Sequence, residues 1–142
     1  MIRPPAPRPC ASCPYRRDVP SGIWAAEEYA KLPAYDRPTM EQPPGVFLCH
    51  QNDRGSAESR VCGGWAGCHD GYELLSIRFA MMHGEMDAAT AEAICEYQTS
   101  VALFASGAAA AEHGIAEIEG PSSAAVAAIQ KVRRRRDLTF DR

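Results

Sequence analysis

Six cysteines stand in 142 residues, and four of them, Cys10, Cys13, Cys49 and Cys62, are spaced as a metal-ligand set. Cys10 and Cys13 form a C-x2-C pair, a spacing that lets two thiolates converge on one ion or cluster with backbone N–H groups turned toward the sulfurs. Cys49 and Cys62 are the natural remaining ligands, which gives the pattern C-x2-C-x35-C-x12-C. All-thiolate ligation suits both zinc and iron–sulfur clusters. A zinc ribbon would carry two close pairs where this chain has one. Cys13-Pro14 resembles the Cys-Pro found beside ligands in bacterial ferredoxin-type sites. A [4Fe–4S] cluster is therefore the first expectation and zinc the alternative. With no metal, Cys10 and Cys13 would be a redox dithiol.

Several neighbours could serve the site without ligating. Arg16 follows the close pair and could tune a cluster, contact phosphate or pair with Asp18. His50 and His69 each follow a cysteine; either could replace a thiolate in a Cys3His zinc site, and a hydrogen-bonded histidine beside the site is the simpler role. Trp65 reads as core and metal-site cover. Cys68 and Cys95 sit on apolar helical positions and read as small packed hydrophobes. Gly63-Gly64 suits close backbone approach beside Cys62. No nucleophile elbow, zinc-protease helix, Walker A or dinucleotide fingerprint is present. A binding or regulatory module is expected over an enzyme; the alternatives are a zinc-stapled protein-interaction domain whose acidic surface docks a basic partner, and a cluster- or thiol-dependent redox enzyme in which an incompletely ligated site or Cys68 offers an open position.

The net charge of −3 conceals a partition. Residues 1–20 carry four arginines against Asp18, and residues 131–142 carry six basic side chains against two acidic ones. The stretch between them holds five basic and fifteen acidic groups. Arg133, Arg134, Arg135 and Arg136 are the strongest basic run, and four consecutive arginines exceed what a helix dipole can use. A solvated terminal tail is the simpler reading of them, and phosphate contact, with DNA or a transcription-related protein as partner, is the functional one. The acidic body would confine such contact to the chain ends.

These groups need elements to hold them. Leu, Ile, Val and Phe number only 23, while alanine alone numbers 24. A core so thin usually needs a staple, and four thiolates on a metal would supply one. β-Branched residues are too few for a large sheet. Ten of eleven prolines lie in the first 44 residues, which predicts loop and extended chain there. One helix fits within that half, capped by Ser21 and stopped by Pro33. Val46-Phe47-Leu48 reads as extended, and residues 51–60 as a polar surface loop. Residues 64–83 show an amphipathic stripe through Trp65, Cys68, Tyr72, Leu75, Phe79 and Met82, with Gly84 as its stop. Asp87 and Ser106 are predicted caps for two further helices, the second stopped by Gly114, and Pro121-Ser122-Ser123 opens a last one. The expected fold is mainly α: a small metal-stapled helical domain with a Pro-rich, loop-rich N-terminal half and one short strand pair. A single domain, 1–142, is expected, divided into a Cys-rich half (9–83), an Ala-rich helical half (84–132) and a basic tail (133–142). No apolar leader or membrane-length stretch is apparent, so a cytoplasmic protein with reduced thiols is expected.

Three motifs taken together, Pro9-Cys10-x2-Cys13-Pro14-Tyr15-Arg16, Phe47-x-Cys49-His50 and Cys62-x-Gly64-Trp65, resemble those of a small uncharacterised family of actinobacterial and phage proteins. The resemblance covers residues 9–83 and extends more loosely through 103–107 and 113–114. It implies that Cys10, Cys13, Cys49 and Cys62 act together, with Cys68 and Cys95 outside the pattern. It implies no activity.

Overall fold

A computed structural model of the chain describes residues 1–49 and 58–140, with side chains followed as far as Arg135. The fold is mainly α. Six α-helices follow one another: α1 (Ala26–Ala30), α2 (Gly63–Cys68), α3 (Leu75–Met82), α4 (Ala88–Cys95), α5 (Gly107–Ile115) and α6 (Ser123–Phe140). Short 3-10 turns at Leu32–Asp36, Thr39–Glu41 and Gly71–Glu73 join them. The expected strand pair is reduced to isolated bridges among the described residues: Leu48 with Val61, Arg3 with Arg60, and Arg16 with Leu103. Residues 51–57 of the expected surface loop, and His50, lie outside the described residues.

Local capping chemistry sets the helical half. The Asp87 carboxylate accepts from the Thr90 amide at 2.8 Å and opens α4. Ser106 does the same for α5 through the Ala109 amide, and Ser122 for α6 through Ala125. Gly84, at φ 69°, closes α3. The Gly84 amide there donates to the Met81 carbonyl and the Glu85 amide to Ala80, the paired bonds of a Schellman stop. The predicted stop at Gly114 is not one, because α5 runs on to Ile115. Gly114 instead presses on the Tyr29 ring, and a Cβ there would overlap it.

Two elements depart from expectation for tertiary reasons. Ser21 caps no helix. Its hydroxyl donates to the Gly114 carbonyl at 3.0 Å and accepts from the Glu117 amide at 2.9 Å, tying the loop to the end of α5. Gly22 follows with φ 82°, so α1 begins only at Ala26. The stripe over 64–83 is two helices, α2 and α3, broken at His69–Asp70. Asp70 turns its carboxylate onto the Tyr72 amide, and Gly71 lies so close to α4 that a Cβ would stand 2.8 Å from Cys95 Cα. The break rotates Tyr72 outward, to 63% exposure, and puts Leu74 in the core in its place.

One apolar cluster joins both halves. Tyr15, Leu32, Val61 and Trp65 are fully enclosed, and Ile94, Ala110 and Ala125 bring α4, α5 and α6 to the same cluster. Alanine serves this core because small side chains let helices approach the aromatic rings. Among the described residues, no helix is long and apolar enough to cross a membrane.

Candidate metal centre

The first half of the site is a knuckle. The Cys13 amide donates to the Cys10 carbonyl at 3.0 Å and the Arg16 amide to Cys13 at 3.1 Å, so two successive turns carry the close pair. Prolines 9 and 14 suit these turns, since their fixed φ costs little where no amide is needed. Arg16 locks the turns from outside. Its guanidinium donates to the Pro9 carbonyl at 3.0 Å and grips both oxygens of Asp18 at 2.8 and 2.7 Å. Trp24 closes the inner side, its indole N–H donating to the Ser12 carbonyl at 2.8 Å.

The second half is a pair of extended segments. The Cys49 amide donates to the Arg60 carbonyl at 2.9 Å, and the Cys62 amide to Phe47 at 3.0 Å. The N-terminal strand-like segment runs along the other side, where Arg3 N–H donates to the Ser59 carbonyl and Val61 N–H to the Arg3 carbonyl. Cys62 is thereby held between two neighbours and delivered to the start of α2.

These elements bring Cys13 and Cys62 together, 49 residues apart in sequence, with their sulfurs 3.7 Å apart in a buried contact. Cys10 is a hydrogen-bonding neighbour of both Cys13 and Cys49, and of the Ser12 hydroxyl at 3.8 Å. Cys10, Cys13, Cys49 and Cys62 thus neighbour one another, and the direct sulfur contact among them is that of Cys13 with Cys62. All six cysteines are free thiols. Among the described residues, no group of three or more His, Cys, Asp or Glu side chains is arranged, as it stands, to hold a metal ion. Gly64 supplies the floor: a Cβ there would overlap Cys13 Sγ and stand 2.7 Å from Tyr15 Cβ. Gly63 lies against Pro9 and the Tyr97 hydroxyl.

The Cys10 and Cys13 thiols hold their protons in this arrangement. The hydrogen bond with Cys13 pushes Cys10 up, outweighing the opposing bond with Cys49, and burial adds to the rise. The bond with Cys10 favours the Cys13 thiolate, yet the bond with Cys62 and burial together raise it well above the usual thiol range. Two sulfurs 3.7 Å apart, as in Cys13 and Cys62, do not both ionise readily without a cation beside them, because like charges at that spacing repel strongly.

Trp65 lies under the site, fully enclosed, with Tyr35 and His69 edge-on at ring separations of 5.5 and 6.3 Å. Tyr15 meets His69 and Phe47 in the same way. The Tyr15 hydroxyl, the Trp65 indole N–H and His69 Nε2 are buried without a protein partner. His69 faces Asp36, Nδ1 standing 3.8 Å from the carboxylate. Burial pushes the His69 pKa below its ordinary value despite that charge. Asp36 escapes a reading of the sequence because its partners lie 71 and 72 residues on: it accepts from the amides of Gly107 and Ala108, both at 2.8 Å.

Cys68 and Cys95 make none of these sulfur contacts. Burial, with Asp36 nearby, pushes the Cys68 thiol up to about 12. At pH 8 the thiolate fraction of such a group falls on the order of 1,000-fold below that of a free thiol. Alkylation by iodoacetamide, followed by peptide mass spectrometry, should therefore label Cys68 at least about 100-fold more slowly in the native protein than after denaturation. Comparable rates in the two states would contradict this environment.

The basic run lies on α6. Arg133, Arg134 and Arg135 are exposed, and the Arg136 side chain lies outside the described residues. Lys131 and Arg135 face the knuckle side, and Arg133 the Trp24 side.

Fold and site together define a small helical protein organised around a cysteine knuckle. The chain matches the model of a family of unknown function, DUF6283, over residues 5–136, and it belongs to that family. No curated protein and no solved structure matches it.

Proposed function

We propose that Cys10, Cys13, Cys49 and Cys62 hold one metal ion as thiolates, and that the chain is a metal-stapled binding module with α6 as its anion-facing surface. The observation that carries this reading is the 3.7 Å separation of Cys13 and Cys62 sulfurs brought together across 49 residues. Four sulfurs at the Zn–S distance of 2.3 Å form a tetrahedron with edges of about 3.8 Å. The terminal thiolates of a [4Fe–4S] cluster sit on different irons and stand roughly 6 Å apart. A single ion of the zinc class therefore suits the spacing better than the cluster. Its charge would offset the thiolate repulsion, and drawing the sulfur pairs together would close the set.

The metal's part would be structural: it fastens the proline-rich half, where helices are few, to α2. Removing it should loosen that half first. Circular dichroism melting of the protein as purified, before and after incubation with a strong chelator, should show the melting temperature falling by at least about 10 °C. Coincident melting curves would refute the staple.

A further inference from the structure

We infer that a hydroperoxide converts Cys13 and Cys62 into a buried disulfide, entering through Cys10, so that the fastening between the knuckle and α2 is redox-sensitive. The C-x2-C spacing points to Cys10 and Cys13 as the dithiol; the folded chain selects another pair. The Cys13 and Cys62 sulfurs stand 3.7 Å apart. Closing that gap to a bonded distance of about 2.05 Å takes a movement of roughly 1.7 Å shared by two side chains. Both frames are fixed by backbone bonds, Cys13 N–H to the Cys10 carbonyl and Cys62 N–H to Phe47, so the two sulfurs stay opposed.

Access separates this pair from Cys10. Cys13 is 1% exposed and Cys62 3%, whereas Cys10 is half-buried and hydrogen-bonded to Cys13. An oxidant therefore meets Cys10 first, and the chemistry runs inward. The hydroperoxide gives one oxygen to the Cys10 sulfur, its O–O bond breaks, and it leaves as the alcohol with Cys10 a sulfenic acid. The Cys13 sulfur displaces that oxygen as water and forms a Cys10–Cys13 disulfide. The Cys62 sulfur then attacks Cys13 and releases Cys10 as a thiol. Two thiols are oxidised, the peroxide takes up their two electrons, and their protons end in the alcohol and the water. A bound ion would leave in place of those protons, which water would then supply. The final bridge persists because it is buried, while an exposed Cys10–Cys13 bridge is open to exchange. It also ties residues 49 apart, restraining the unfolded chain far more than a C-x2-C bridge does. The cross-link depends on the sulfur contact and on burial, not on a bound ion, and so stands apart from the metal reading.

The test treats the full chain, as purified, with a few equivalents of hydrogen peroxide, blocks the remaining thiols with iodoacetamide and digests without reduction. Tandem mass spectrometry should identify Cys13–Cys62 as the dominant disulfide, reversible by dithiothreitol. Cys10→Ser should give the same cross-link at least about tenfold more slowly. Cys95→Ser should change neither product nor rate. After chelator treatment, oxidised protein should melt at least about 8 °C above reduced protein, and Cys62→Ser should show no such gain. Metal analysis before and after oxidation keeps this outcome distinct from the metal reading: the cross-link forms in either case, and an ion, where present, is released with it. A dominant Cys10–Cys13 or intermolecular disulfide would overturn the inference, as would sulfinic acid without a cross-link. Oxidation of Cys10→Ser at the wild-type rate, or a melting temperature not raised by oxidation, would also overturn it.

Discussion

Cys62→Ser is expected to leave the purified protein with less than about a tenth of the wild-type metal and with a melting temperature equal to that of the chelator-treated wild type. The size of the effect follows from where Cys62 sits. It is buried, in contact with Cys13, and held by a backbone bond to Phe47 on one side and by the start of α2 on the other. Structural zinc sites contribute on the order of 10 kcal/mol of apparent folding free energy, and one ligand in four is enough to forfeit most of it. The diagnostic feature is non-additivity: a chelator should lower the melting temperature of the wild type and leave that of Cys62→Ser unmoved. Cys95→Ser, outside the sulfur contacts, should retain the metal and still respond to chelator. If Cys62→Ser kept its metal and its chelator response, the ligand set would be wrong.

Gly107→Ala is the second large effect, and it acts at the start of α5. Helix propensity alone favours alanine over glycine by up to about 1 kcal/mol. Here the new Cβ would overlap the Leu32 carbonyl, which is backbone and cannot rotate away, and stand 3.2 Å from Asp36 Oδ1. Helix α5 must therefore shift from the 3-10 turn. The shift strains the two 2.8 Å bonds by which Asp36 holds the Gly107 and Ala108 amides. Overpacking costs about 1–3 kcal/mol, and weakened bonds to a carboxylate add about 1–2 kcal/mol. The net loss, about 3 kcal/mol, corresponds to a fall of roughly 10 °C in melting temperature for a chain of this size. Metal content should be unchanged, since none of the displaced groups touches the cysteines. Asp36→Asn, which keeps one acceptor oxygen, should cost less than Gly107→Ala. A melting temperature unaltered or raised by Gly107→Ala would show that the contact is not tight.

The two predictions differ in how readable their origins are. The cysteine quartet is legible because its evidence is local: a C-x2-C pair flanked by prolines implies a turn, and Val46-Phe47-Leu48 implies the extended segment that delivers Cys49. Asp87, Ser106 and Gly84 are legible for the same reason, since a cap acts on amides and carbonyls only a few residues away. What the residues did not reveal depends on distant partners. Ser21 looks like a cap and instead bonds to Gly114 and Glu117. The stripe over 64–83 keeps helical periodicity through a break that only the approach of Gly71 to Cys95 explains. Asp36 had no motif at all, and its partners lie in a helix that begins 71 residues later. The run Arg133 to Arg136 is conspicuous as composition, yet which cations face the knuckle depends on how Ala125, Ile129 and Val132 seat α6 on the core.

Whether four thiolates hold one ion is decided by metal analysis with an absorption spectrum of anaerobically purified protein. A colourless protein carrying about one equivalent of zinc, lost together with the four-cysteine set, is expected. Iron with a broad band at roughly 400 nm would contradict the single-ion centre in favour of a cluster. A protein free of metal, with all six thiols titratable, would contradict the staple itself.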